Sequence, residues 1–285
     1  MTFALVAAAA VAAQASAKDL DVQVYNNHDP KGFQVSSVLI SGEKDAILLD
    51  AQFTLPDAQK LAEQIKASGK TLKTVFITSG DPDFYFGLGV VKAAFPEAKI
   101  LTTPAILKHI NETVDVKLTT WGKQMGDLVP KTATLPEAYA GNVLMLEGKR
   151  INIKHGVGEK KAETYVYIPS IQTVAGGVLV FGHLHLWTAD SHTLKARQDW
   201  VKSLKAIAAL KPKTVIPGHF QQDASQSLAS VRYSQNYLTV FEKELKSSKD
   251  SAALIQSMTK KYPNAGLGVA LEIGAKVNKG EMQWH

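Results

Sequence analysis

The sequence predicts an α/β fold, a four-layer αββα sandwich, on three observations. β-rich runs alternate with stretches of helical periodicity. The alternation occurs twice, in an N-terminal and a C-terminal half, and each half is flanked by helices. Nothing between the halves reads as a linker, a low-complexity tract or a short tandem repeat, so both belong to one domain. With 285 residues, 45% of them hydrophobic, the chain can bury a sizeable core, and no apolar run is long enough to span a bilayer.

Each element has a local reason. FQVSSVLI (33–40) and DAILL (45–49) are β-rich runs separated by the polar turn SGEK, which predicts a hairpin closed by Asp50. Residues 56–67 carry Ala58, Leu61 and Ile65 at helical spacing, with Thr54 as cap and Pro56 in the first turn. A strand over 73–78 follows, then the loop SGDPD, a helix through Val90 to Ala94 and a strand over 99–102. Residues 103 to about 140 read as helix and then loop, broken by Pro130 and Pro136. The second half offers strands at 143–154, 164–168, 172–181 and 214–216. Its helices run from about 194 to 210 and from 225 to 246 and onward.

The first seventeen residues, MTFALVAAAAVAAQASA, are uncharged and Ala-rich and end in Ala-Ser-Ala before Lys18. They match the apolar segment and small-residue cleavage site of a secretory signal without its usual basic start. The expectation is a signal peptide over 1–17, a single domain over 18–285, and a periplasmic or secreted mature protein. The net charge of +6 is carried almost entirely by scattered lysines, with arginine only at Arg150, Arg197 and Arg232. That pattern speaks against nucleic acid as partner. The absence of cysteine removes thiolate nucleophiles and Cys metal ligands from consideration.

The stretch VFITSGDPDFYFG (75–87) ends an apolar strand in a loop with two acids, Asp81 and Asp83, at the spacing of a metal-binding loop but with no histidine. The same acids can cap the helix that starts near Phe84. Ser79 lacks the flanking glycines of a nucleophile elbow and reads as a small pocket residue.

Five stretches, in order, carry a family likeness: SSVLISGEKDAILLDAQF, VFITSGDPDFYFG, TYVYIPSIQTVAGGVLVF, HLHLWTADSH and TVIPGHF. From about residue 22 to about 245 the chain resembles the metallo-β-lactamase-fold superfamily of hydrolases. The resemblance implies the αββα sandwich and, in the family, two zinc ions that generate hydroxide near neutral pH. It also implies that most of this ligand set is gone. Where the family's His-x-His-x-Asp-His loop belongs stand Ser79, Asp81, Asp83 and Phe84. The mid-chain His falls near Val157, the bridging Asp at Gly177, and only the last His survives, as His219.

A two-zinc centre is therefore not expected, and three readings stay open. The first is a small-molecule-binding or vestigial member. The second is a hydrolase of an ester, lactone or similar substrate holding one zinc, manganese or iron at Asp81, Asp83 and His219. The third is an adapter that uses the fold only as a surface. In the resembled fold GHLHLWTADSH faces the cleft, which implies Trp187 and Tyr85 as flat walls, Ser79 beside them, and His185 and Asp190 as polar anchors. His185 with Asp190 can equally form an acid/base pair, with Asp83 the third catalytic candidate. His155 reads as a surface residue, and His183 and His192 complete the histidine cluster.

Overall fold

The computed structural model describes residues 19–284, so the leader-like segment 1–17 lies outside the described residues. Strands β1 (Asp21–Tyr25), β2 (Ser37–Ser41) and β3 (Asp45–Leu49) form an antiparallel run. Helix α1 (Leu55–Ala67) then crosses to β4 (Thr71–Ile77), which pairs parallel with β3. The Thr54 hydroxyl accepts the Asp57 N–H at the start of α1, a cap worth about 1 kcal/mol. The short helices α2 (Pro82–Tyr85) and α3 (Leu88–Ala94) lead to β5 (Lys99–Thr102), and α4 (Pro104–Met125) to β6 (Glu137–Ala138). The first sheet has the order β1-β2-β3-β4-β5-β6.

The second half contains β7 (Val143–Leu146), β8 (Lys149–His155), β9 (Thr164–Ile168), β10 (Thr173–Ala175) and β11 (Phe181–Gly182). After α5 (Leu194–Ala209) come β12 (Thr214–Val215) and β13 (His219–Phe220), then α6 (Leu228–Ser247), α7 (Ser251–Lys261) and α8 (Gly268–Asn278). Its main sheet runs β12-β10-β9-β8-β7, and β11 pairs with β13 apart from it. The single strand expected over 172–181 is thus two, because Gly176 and Gly177 turn the chain between them at φ 75° and 77°. A Cβ at Gly177 would stand 1.9 Å from the Thr164 carbonyl oxygen, so the turn admits only glycine there.

Strand periodicity sorts the side chains into three cores between four layers. In β3, Ile47 and Leu49 point between the sheets while Ala46 and Leu48 point toward the helices; in β4, Phe76 points inward while Val75 and Ile77 point outward. Leu61 and Ile65 of α1, Val91 of α3 and Ile106 and Ile110 of α4 cover the first sheet. Trp200 and Leu204 of α5, Leu238 and Phe241 of α6 and Leu254 of α7 cover the second. Among the described residues no helix is long and apolar enough to cross a membrane.

Two polar seams lock the halves together. At the first, Ser36 N–H donates to the Gly218 carbonyl at 2.8 Å and Ser36 Oγ to Pro217 at 2.7 Å, while Phe220 N–H returns to Gln34. At the second, the fully buried Asp50 accepts both the backbone N–H (2.8 Å) and the hydroxyl (2.6 Å) of Thr78. Thr78 Oγ1 in turn accepts Gly177 N–H at 2.7 Å, and its carbonyl accepts the Thr164 hydroxyl at 2.7 Å.

Thr78→Val would leave Gly177 N–H and one Asp50 oxygen unsatisfied in the interior, so it is expected to cost about 2–4 kcal/mol in urea unfolding. Burial pushes Asp50 from 3.8 up to about 7, against the two Thr78 bonds. Across that window the unfolded chain releases a proton that the folded state keeps, so this group makes the fold less stable as pH rises. Asparagine is at ease at the φ of 62° found at position 50. Asp50→Asn should therefore gain stability relative to wild type between pH 5 and pH 8, read from urea midpoints at the two values.

Candidate ligand cleft

The cleft opens where β3 and β4 end, at the carboxyl edge of the parallel strands. It has two adjoining chambers of about 150 Å³ and about 220 Å³ that share Asp81, His109, Val178, Trp187 and Asp190. The first is walled largely by Phe33, Trp121, Trp187 and Trp284, and the second carries the charged side chains of Lys160 and Glu163.

His219 and Asp83 meet in the first chamber, His219 Nε2 lying 3.3 Å from Asp83 Oδ2. His219 Nδ1 faces the Phe33 carbonyl oxygen at 3.0 Å and must carry a proton there, so Nε2 is the acceptor turned toward Asp83. Phe181 stacks on the imidazole at 4.9 Å and Phe84 meets it edge-on at 5.4 Å, which fixes the ring. Burial lowers His219 to about 4. Burial, and then the charge of Asp81, raise Asp83 well above the carboxylate range. Both shifts favour the uncharged forms, the neutral imidazole and the protonated carboxyl, at this 3.3 Å contact.

Asp81 occupies the N-cap position of α2 but makes no side-chain cap bond. Ser79 Oγ donates to its Oδ2 at 3.1 Å, and Lys117 Nζ from α4 stands 3.6 Å from Oδ1. Lys117 Nζ also donates to the Gly80 carbonyl at 3.0 Å and sits 3.1 Å from His109 Nε2. Burial works against the Asp81 charge, but Lys117, His109 and Ser79 outweigh it and hold the carboxyl below its ordinary value. Burial and Lys117 together depress His109. In the second chamber, buried Lys160 pairs with Glu163 at 3.8 Å and lies over the Trp200 ring, while burial lifts Glu163 to about 7.

Asp190 is open to the water of the cleft but has protein on most sides, and this burial lifts it to about 6. Its Oδ1 accepts the Trp284 indole N–H at 2.8 Å. The expected pair of Asp190 with His185 does not form: His185 is buried, its Nδ1 is 2.9 Å from the Tyr237 hydroxyl, and burial lowers it to about 4. Tyr85 is not a cleft wall either. Two residues beyond Asp83 in a helix means a rotation of about 200°, which sends Tyr85 into the core against Phe86. His155 and His192 are exposed, and His183 lies beside Asp223 at 3.2 Å, so of the GHLHLWTADSH segment only Trp187 and Asp190 line the cleft. Ser79 lines the second chamber.

Several cleft residues were not legible as such. His109, Lys117 and Trp121 share one face of α4, at spacings of eight and four, a stripe that helical periodicity could have exposed. Lys160, Glu163 and Trp284 lie on segments without periodicity and gave no signal, and Phe33 read only as the first residue of a strand. Gly177, where the resemblance implies the bridging carboxylate, is pressed against Thr164, and the side chain of the neighbouring Val178 lines the cleft.

Residues 30–219 match the family described as the metallo-beta-lactamase superfamily. The chain belongs to that superfamily. Solved structures agree on the fold. A metallo-beta-lactamase family protein from Thermus thermophilus is 14% identical with a TM-score of 0.62, covering 91% of this chain and 92% of its own. A beta-lactamase domain protein from Burkholderia ambifaria is 13% identical with a TM-score of 0.60, covering 88% and 84%. A metallo-beta-lactamase from Pontibacter korlensis is 17% identical with a TM-score of 0.53, covering 72% and 87%. Identities this low carry the architecture alone. No curated protein sequence matches the chain.

The superfamily's two-zinc centre does not fit the residues present, since Ser79, Phe84, Val157 and Gly177, the positions the resemblance implies for its ligands, offer no imidazole or carboxylate. Among the described residues no three His, Cys, Asp or Glu side chains are grouped as a metal ion would need. Of the three ligands expected for a single metal, Asp83 and His219 come together, while Asp81 is held by Lys117 and Ser79.

The side-chain assignment at the glycine turn can be checked by substitution. Val178→Thr, close in volume and facing the cleft, should lose less than about 1 kcal/mol, whereas Gly177→Ala should lose at least about 2 kcal/mol, because φ 77° and the Thr164 carbonyl both oppose a Cβ. Urea unfolding of the two variants reads the difference.

Proposed function

We propose that this superfamily member is an exported protein that holds a small organic molecule in its cleft without the family's two-metal chemistry. The observation that carries the reading is the commitment of Asp81 to Lys117 in a cleft otherwise walled by aromatic rings. An internal ammonium stands beside the acid where the family's loop would present a metal ligand, and the adjoining chamber offers apolar area with a few polar anchors, as ligand pockets do. Phe33, Trp121, Trp187 and Trp284 exclude water and bind; Asp83, His219 and Asp190 orient. The leader-like residues 1–17 support export.

The 3.3 Å contact of Asp83 with His219 favours a second reading, a metal-dependent hydrolase of an ester or lactone. In it these two residues would hold one zinc, manganese or iron ion, and Asp81 would have to leave Lys117 to join them.

The neutral fluorescent probe N-phenyl-1-naphthylamine separates the readings. Saturable binding of one probe per chain, weakened at least about tenfold by Trp187→Ala, is the expected result. Ester or lactone turnover that appears on adding zinc, manganese or iron and disappears in Asp83→Ala would establish the hydrolase instead. The mature N-terminus is expected near Lys18 in the exported fraction, read by N-terminal sequencing.

A further inference from the structure

Among the described residues, two acids of the aromatic chamber, Asp83 and Asp190, have no lysine or arginine in ion-pair contact. Asp83 lies against His219 and Asp190 accepts from the Trp284 indole, while the charges of Lys117, and for Asp190 also of Lys160, reach them without forming an ion pair. The two lysines of the cleft are committed elsewhere, Lys117 to Asp81 at 3.6 Å and Lys160 to Glu163 at 3.8 Å. An acid with protein on most sides and no ion-pair partner is costlier to keep charged than one in open water, and a cationic ligand seated beside Asp190 lowers that cost.

The walls select the kind of cation. Trp187 and Trp284 stand at 65° with centroids 5.3 Å apart, and Phe33 lies 6.0 Å from Trp187 at 58°. Trp121 completes the turn of the wall, at 77° to Phe33 and 5.1 Å from it. Rings set at such angles offer faces in several directions, as in the aromatic cages that enclose alkylated ammonium groups. The Trp284 N–H bond to Asp190 fixes a carboxylate at the edge of this corner. A small, strongly hydrated metal ion gains little from such faces, whereas a large, weakly hydrated organic cation gains from faces and carboxylate together.

We propose that the aromatic chamber takes an organic cation, a quaternary or tertiary ammonium group on a small apolar body, with its charge between Asp190 and the faces of Trp187 and Trp284. This rests on the reading of the cleft as a ligand site. It also gives Trp284 a specificity-determining role.

Calorimetric titration in chelator compares choline and phenyltrimethylammonium with 3,3-dimethylbutan-1-ol, the uncharged counterpart of choline. The cations should bind one per chain and choline at least about tenfold more tightly than the alcohol. Asp190→Asn should weaken the cations several-fold and the alcohol much less, so that the preference for choline falls, and Trp284→Ala should weaken both, the cations more. Trp284→Phe should keep most of the preference, with folding of every variant verified by circular dichroism. Equal binding of choline and the alcohol, with N-phenyl-1-naphthylamine still bound, overturns the cation proposal and leaves the binding reading standing. So does cation binding that returns only when zinc replaces the chelator. If neither the cations, the alcohol nor the neutral probe binds, the reading of the cleft as a ligand site falls with it.

Discussion

The structure depends on a junction a few ångströms across, where Asp50 at the end of β3 grips Thr78 at the end of β4 through two hydrogen bonds. Thr78 then reaches into the second half, accepting Gly177 N–H and the Thr164 hydroxyl. Each group here is buried, so each bond is worth more for the penalty of leaving it unmade than for its own gain. The loop 79–83 starts from this point, and Gly177 sets where Val178 faces it. A shift at Thr78 therefore moves both sides of the cleft at once.

On that scaffold the chemistry of the cleft departs from the superfamily's. The architecture still delivers Asp83 and His219 to one another, His219 being placed by the pairing of β13 with β11 and clamped between two phenyl rings. Around them, positions that would carry imidazoles hold Ser79 and Phe84. A lysine from α4 fills part of the electrostatic role of a cation beside Asp81. Lys117 is fixed by three partners, Asp81, the Gly80 carbonyl and His109, so it acts as a built part of the loop rather than a passing surface contact. The outcome is one acid neutralised from within and two others, Asp83 and Asp190, left facing an aromatic chamber.

Much of the fold was legible in the sequence because its signals are local. Thr54 with Pro56 marked the start of α1, SGEK marked the β2–β3 turn, and β5 matches its expected range of 99–102. The split of 172–181 into β10 and β11 was missed because two glycines in an apolar run look like strand until their positive φ values are seen. At the cleft, Asp83 with His219 was readable from the order of the motifs. The fates of Asp81, His185 and Tyr85 were not, since each is decided by a partner distant in sequence or by the rotation of a four-residue helix: Lys117, Tyr237 and the turn of α2. Trp284 lies 94 residues from its partner Asp190, and no periodicity points from one to the other.

The proposed absence of metal chemistry is tested most directly by calorimetric zinc titration of untagged protein, with elemental analysis of the same preparation made without chelator. Metal far below one per chain as purified is expected, with zinc binding no tighter than about the micromolar range of two protein ligands. One metal per chain, bound tightly and lost in both Asp83→Ala and His219→Ala, would contradict it.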